Sequence, residues 1–96
     1  MEKHAVSVIL GIYDRREVKK MQIMDFGPSI NTIDALLKTL TDEGIAAMRE
    51  EMQGRRVFFI SLAEKGKRIA SILDTVSKEF PEVQKLRRYN IYKSMY

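Results

Sequence analysis

The chain has 96 residues, is 45% hydrophobic and 31% charged, and contains no cysteine. That length supports one modest core and excludes a two-domain enzyme with an interdomain cleft, while the missing thiols exclude disulfides, thiolate metal sites and cysteine catalysis. Net charge is +4, but Lys85, Arg87, Arg88 and Lys93 stand against Glu82 alone in residues 81–96, so the body is close to neutral and must group its cations locally to attract an acidic partner. No segment approaches the roughly 18 apolar residues that a bilayer crossing needs, and residues 1–16 lack the core and cleavage pattern of a signal peptide. A cytoplasmic location with no membrane partner is therefore expected.

In chain order, Ala5, Val6, Val8, Ile9, Leu10, Ile12 and Tyr13 form a dense apolar run whose length suits a buried first helix better than a strand. Between residues 15 and 26, Val18, Met21 and Met24 have helical spacing, although the alternation around Met21 and Ile23 also reads as a strand. A short second helix is the expectation. Gly27-Pro28-Ser29 supplies a turn and a hydroxyl able to accept from an early N–H of the next helix. That third helix is expected over residues 29–43, with Ile30, Ile33, Leu36, Leu37 and Leu40 on one side and Asn31, Thr32, Ala35, Lys38 and Thr39 on the other. Gly44 suits the left-handed residue that closes a helix, and Ile45 can pack back on it.

Residues 45–52 and 55–61 flank Gln53-Gly54 as the two arms of a hairpin would, and Val57-Phe58-Phe59-Ile60 has strong strand character. Ser61-Leu62-Ala63-Glu64 fits a capping box, which places the start of a fourth helix near Leu62. Its stripe of Ile69, Ile72, Leu73, Val76 and Phe80 ends at Pro81. Beyond it, Val83, Leu86, Tyr89, Ile91 and Tyr92 lie among charges and need a surface to rest on. Two units are expected: a domain over residues 1–80 and a basic extension over residues 81–96.

The order helix, helix, helix, ribbon, helix, together with the phrases Leu37-Lys38-Thr39-Leu40-Thr41-Asp42-Glu43-Gly44-Ile45 and Ile60-Ser61-Leu62-Ala63-Glu64-Lys65-Gly66-Lys67-Arg68-Ile69-Ala70, resembles winged helix-turn-helix transcriptional regulators. The small prokaryotic and archaeal members related to the multiple-antibiotic-resistance and PadR groups are the most similar. In them a leucine-rich recognition helix often ends in Glu-x-Gly-Leu or Glu-x-Gly-Ile, and a strand after the wing leads into Leu-Thr-x-x-Gly. Asp42-Glu43-Gly44-Ile45 matches the first with its acidic residue directly before the glycine, and Leu62-Ala63-Glu64-Lys65-Gly66 matches the second with Ala63 in place of threonine. The implied fold class is α+β and mostly helical: a three-helix core, a two-stranded wing and a C-terminal helix.

The resemblance further implies a recognition helix lying in the DNA major groove, with the ribbon on the flanking backbone. Carried onto this chain, it nominates Ser29, Asn31, Thr32, Ala35 and Lys38 for the groove, Arg55 and Arg56 for phosphates or the minor groove, and Arg15, Arg16, Lys19 and Lys20 for a backbone clamp. These residue types fit the task, since Asn bonds adenine in bidentate fashion and a small Ala admits a thymine methyl. Asp34 in the same helix, and Glu50 and Glu51 in the wing, count against it. Ile72, Val76 and Phe80, with Leu86, Tyr89 and Tyr92 beyond Pro81, are the candidates for a homodimer seam.

The expected function is a homodimeric, sequence-specific regulator that binds double-stranded DNA. The alternatives are a winged-helix protein-interaction module and a non-specific architectural DNA-binding protein. Neither catalysis nor a cofactor is expected: no nucleophile elbow, phosphate loop or paired-carboxylate motif is present, and His4, the single histidine, has no metal-ligand spacing and reads as a surface residue. The six methionines read as filling gaps in the core. Operator and effector are not legible.

Overall fold

The computed structural model describes residues 4–80, in the order α1 (Ala5–Arg15), β1 (Glu17–Lys19), a 3₁₀ helix (Lys20–Phe26), α2 (Ile30–Asp42), β2 (Ala46–Met52), β3 (Arg56–Leu62) and α3 (Glu64–Ser77). The expected extension over residues 81–96, with Leu86, Tyr89 and Tyr92, lies outside the described residues. The three helices expected first, the ribbon and the last helix are all found.

The second helix and the ribbon need correction. Residues 17–19 form a strand, antiparallel to β3 with Val18 opposite Ile60, so the wing belongs to a three-stranded sheet of order β1-β3-β2. Arg16, at φ +72, reverses the chain between α1 and this strand. Helical structure follows only from Lys20, and as a 3₁₀ helix that opens with the Lys19 N–H donating to Gln22 Oε1 at 2.7 Å. Three residues per turn put Ile23 and Phe26 on one ridge, and both are buried, whereas Met21 and Met24 are exposed. Met48 and Met52 are exposed as well, so none of the four described methionines fills the core. His4 is half-buried rather than superficial, its ring packed close to Gly27.

Alternation in the ribbon decides which side meets the helices. Val18, Ala46, Ile60 and Leu62 face the core, where they join Val8, Ile9 and Ile12 of α1, Ile23 and Phe26, and Ile33, Leu36, Leu37 and Leu40 of α2. Buried polarity is satisfied locally: the Ser7 hydroxyl donates to the Phe26 carbonyl at 2.6 Å.

The junction between α2, the ribbon and α3 sets the angle of the candidate recognition helix. Gly44 adopts φ +74, Gly44 N–H donates to Thr41 O at 3.1 Å, and Ile45 N–H donates to Leu40 O at 2.8 Å. This is a complete Schellman closure, with Leu40 and Ile45 both in the core. The Ile45 carbonyl then accepts from Ala63 N–H at 2.9 Å, directly ahead of α3. A Cβ on Gly66 would collide with that same oxygen, so only glycine lets α3 approach so closely.

The expected capping box is absent. Ser61 lies within β3, opposite Glu17 and Ala47, and the N-cap of α3 is Ala63, with no side-chain hydrogen bond to the helix. The terminus is instead secured from outside: Lys65 Nζ donates at 2.9 Å to the carbonyl of Glu43, at the end of α2.

Candidate nucleic-acid interface

The side of α2 turned away from the core carries the residues expected there. Ser29, Asn31, Thr32, Ala35 and Lys38 are all exposed, while Ile33, Leu36, Leu37 and Leu40 anchor the opposite side. Ser29 holds the N-cap position in extended conformation, but its hydroxyl accepts no helix N–H. Its carbonyl takes that place, accepting from Thr32 N–H at 3.0 Å and from Thr32 Oγ1 at 2.9 Å. Among the described residues, the Asn31 side-chain amide makes no hydrogen bond, so its donor and acceptor pair remains available. Lys38 is partly occupied: its ammonium lies 2.8 Å from Asp42, one turn on, and this hydrogen bond with its attendant Coulomb attraction raises the Lys38 pKa.

Beside α2, the ribbon tip and the β1 corner enclose a groove of about 340 Å³ lined by Lys19, Lys20, Met21, Arg55, Arg56, Val57 and Phe58. Two basic clusters from distant parts of the sequence therefore meet in space. Lys20 joins the groove to α2, since its ammonium lies 2.5 Å from Asp34 and 5.7 Å from the centre of the Phe58 ring. Arg56 is held by Glu50 at 2.7 Å. Among the described residues, Lys19 and Arg55 have no acidic partner, and Arg55 sits in the turn itself.

The other half of the expected clamp goes elsewhere. Arg15 is half-buried, paired with Asp25 at 3.0 Å and stacked 4.8 Å from the Phe26 ring, so it ties α1 to the 3₁₀ helix. Arg16 lines a different cleft of about 680 Å³, with Ile12, Tyr13, Asp14, Ser61, Leu62 and Lys67. The reversal at Arg16 separates these two arginines from Lys19 and Lys20.

Alternation also sends the wing carboxylates Glu50 and Glu51 to opposite faces of the sheet. Glu51 falls on the solvent side with Glu17, Arg49 and Phe59, where Arg49 stacks 4.5 Å from the Phe59 ring and bonds both acids. The hydrogen bond to Glu17, then that to Glu51, raises the Arg49 pKa, and the Arg49 and Gln53 hydrogen bonds lower that of Glu51. Sequence reasoning missed this cluster, along with Met21 and Phe58 in the groove. Their signal lay in the pairing of β1 with β3, which three residues were too few to announce. No described group of His, Cys, Asp and Glu is arranged to hold a metal ion, and no described helix is long and apolar enough to cross a membrane.

No protein-family model and no curated protein sequence matches the chain. Solved structures do. A transcriptional regulator homologue from Pyrococcus horikoshii OT3 superposes with a TM-score of 0.62 at 16% identity, over 84% of this chain and 75% of that one. F-93 of SSV1 gives 0.64 at 24% identity, over 88% and 93%. Bacillus subtilis PadR, solved in complex with operator DNA, gives 0.60 at 25% identity over 72% of this chain, which spans 45% of PadR. The fold is thus a winged helix-turn-helix, α+β with a small antiparallel sheet, which this chain shares with a transcriptional regulator homologue and with PadR, a protein solved on operator DNA.

Proposed function

We propose that the protein is a transcriptional regulator that binds double-stranded DNA sequence-specifically as a homodimer, with α2 in the major groove and the ribbon tip on the flanking backbone. The observation that carries this reading is the junction of two surfaces: the uncommitted Asn31 side of α2 and the groove of Lys19, Lys20, Arg55 and Arg56, joined through the Lys20–Asp34 pair. Phosphate contacts would fix register, and Ser29, Asn31, Thr32, Ala35 and Lys38 would read base edges. PadR, which shares the fold, is bound to operator DNA. Arg15 and Arg16 have no part in this surface as proposed.

A dimer supplies what one domain of this size lacks, since two recognition helices add their contacts and fix half-site spacing near one DNA turn. Ile72 and Phe80 are 65% and 60% exposed, with Val76 half-buried between them. They support a seam along α3, to which we assign Leu86, Tyr89 and Tyr92, outside the described residues, on sequence grounds alone. A winged helix used for protein contact is favoured by one specific observation: Lys20, Lys38 and Arg56 are each held by an internal acid.

Titration against random and genomic-promoter duplexes at two salt concentrations separates these readings. Preference for one duplex, with affinity falling as salt rises, supports the regulator. Equal affinity for both identifies an architectural protein, and no binding at low salt leaves protein contact.

A further inference from the structure

Asp34 is the acid that a DNA-facing helix should avoid. It lies on the exposed part of α2, three residues after Asn31 and one before Ala35, and its side chain is 79% exposed. Its one described ion-pair partner, Lys20, contacts Oδ1. Oδ2 has no described donor. Lys20 is itself confined, standing over Phe58 and only 31% exposed, so the carboxylate is aimed from a fixed point. An ammonium has three N–H donors, which lets Lys20 hold Asp34 and a phosphate oxygen together.

Resting on the DNA-binding reading above, we propose that Asp34 is a specificity-determining residue that selects cytosine in the major groove. A carboxylate can only accept hydrogen bonds, and the donors on base edges in that groove are the exocyclic amino groups of cytosine and adenine. Adenine presents its N7 lone pair beside the amino group, which repels a carboxylate. Cytosine presents N4–H2 with no neighbouring acceptor on its own edge. At guanine or thymine Asp34 Oδ2 is stripped of water close to phosphates with no base donor to replace it, and at adenine N7 opposes it, so the uncompensated desolvation excludes those sites. The acid that weakens DNA binding in general thereby becomes the group that discriminates.

The test is selection of duplexes from a random library by the full-length chain, followed by the same selection and affinity measurements with Asp34→Asn and Asp34→Ala. Wild-type protein is expected to require C·G at one position of each half-site. Asp34→Ala should lose that requirement and bind the wild-type site about tenfold more weakly. Asp34→Asn, whose amide both donates and accepts, should shift the preference toward adenine at that position, and both variants should bind random DNA a few-fold more tightly. Selection with no C·G requirement, or variants that bind the selected and random duplexes more tightly by the same factor, would overturn the assignment and leave Asp34 a simple repulsive charge. Failure of the wild-type chain to retain any duplex would instead remove the DNA reading on which it rests. Unchanged melting temperatures, expected for so exposed a side chain, exclude misfolding as the cause.

Discussion

At its root the ribbon is locked between α2 and α3, with Ala46 and Leu62 buried and the Ile45 carbonyl both bonded to Ala63 and pressed against Gly66. At its tip, residues 53–55 make one internal backbone bond, from Gln53 N–H to Arg55 O at 2.8 Å, and a Cβ on Gly54 would meet nothing within 4 Å. Two arginines follow the same division. Arg49, midway along β2, is occupied by Glu17, Glu51 and the Phe59 ring, whereas Arg55 at the tip has no described partner. A charge that is already satisfied serves the fold, and one left unsatisfied at a projecting tip is available to an external anion. Net charge hides this distinction, because both arginines count equally toward +4.

The division breaks down if perturbing the root fails to unfold the domain. Gly66→Ala forces a Cβ against the backbone of Ile45, and Ile60→Ala opens a cavity at a fully buried site. Each is expected to cost about 3 kcal/mol in urea unfolding. A cost below about 1 kcal/mol would show that the junction yields easily and does not hold the α2 angle.

At the tip the expected effect moves from stability to binding. Arg55→Ala combined with Arg56→Ala should leave the urea midpoint nearly unchanged, weaken binding to every duplex, and reduce the salt slope by about 2, one for each phosphate no longer neutralised. Asn31→Ala should act more narrowly, relaxing preference at one base pair by roughly 1–3 kcal/mol with the salt slope intact. Selection experiments on the variant check this.

The smallest effect belongs to the occupied arginine. Arg49→Ala should lower the melting temperature slightly and leave DNA affinity unaltered. Because the Glu51 pKa is lowered in the folded state, by Arg49 first and Gln53 second, its stabilising contribution is present above the ordinary carboxylate range and fades as pH falls through the lowered value. Glu51→Gln should therefore be less stable than wild type at neutral pH, and the difference should vanish in acid. A difference that persists in acid would assign the effect to packing instead of charge.

The strongly patterned elements were legible in the sequence. The Ile33-Leu36-Leu37-Leu40 stripe, the Gly44 stop and the apolar strand before Leu62 each combine periodicity with a turn residue of defined conformation, and each is found. What escaped depends on pairings made across the chain. Glu17-Val18-Lys19 is too short to show a period and becomes a strand only against β3. Ser61 has the chemistry of a cap, yet the ladder with Glu17 and Ala47 keeps it in the sheet. The exposed side of α2 followed from its buried side, but the four-cation groove did not, because residues 19–20 and 55–56 meet only after the sheet forms. Arg15 looked like Lys19 in sequence and is set apart by Asp25 and Phe26.

The central claim, that one side of α2 and the ribbon tip together receive DNA, is tested most directly by following backbone amide resonances of the labelled protein as a selected duplex is added. The account predicts that the largest shifts cluster at Ser29, Asn31, Thr32, Ala35, Lys38 and Arg55, with Arg49 and Phe59 nearly still. Shifts concentrated along Ile72 and Val76 of α3, with α2 silent, would contradict it.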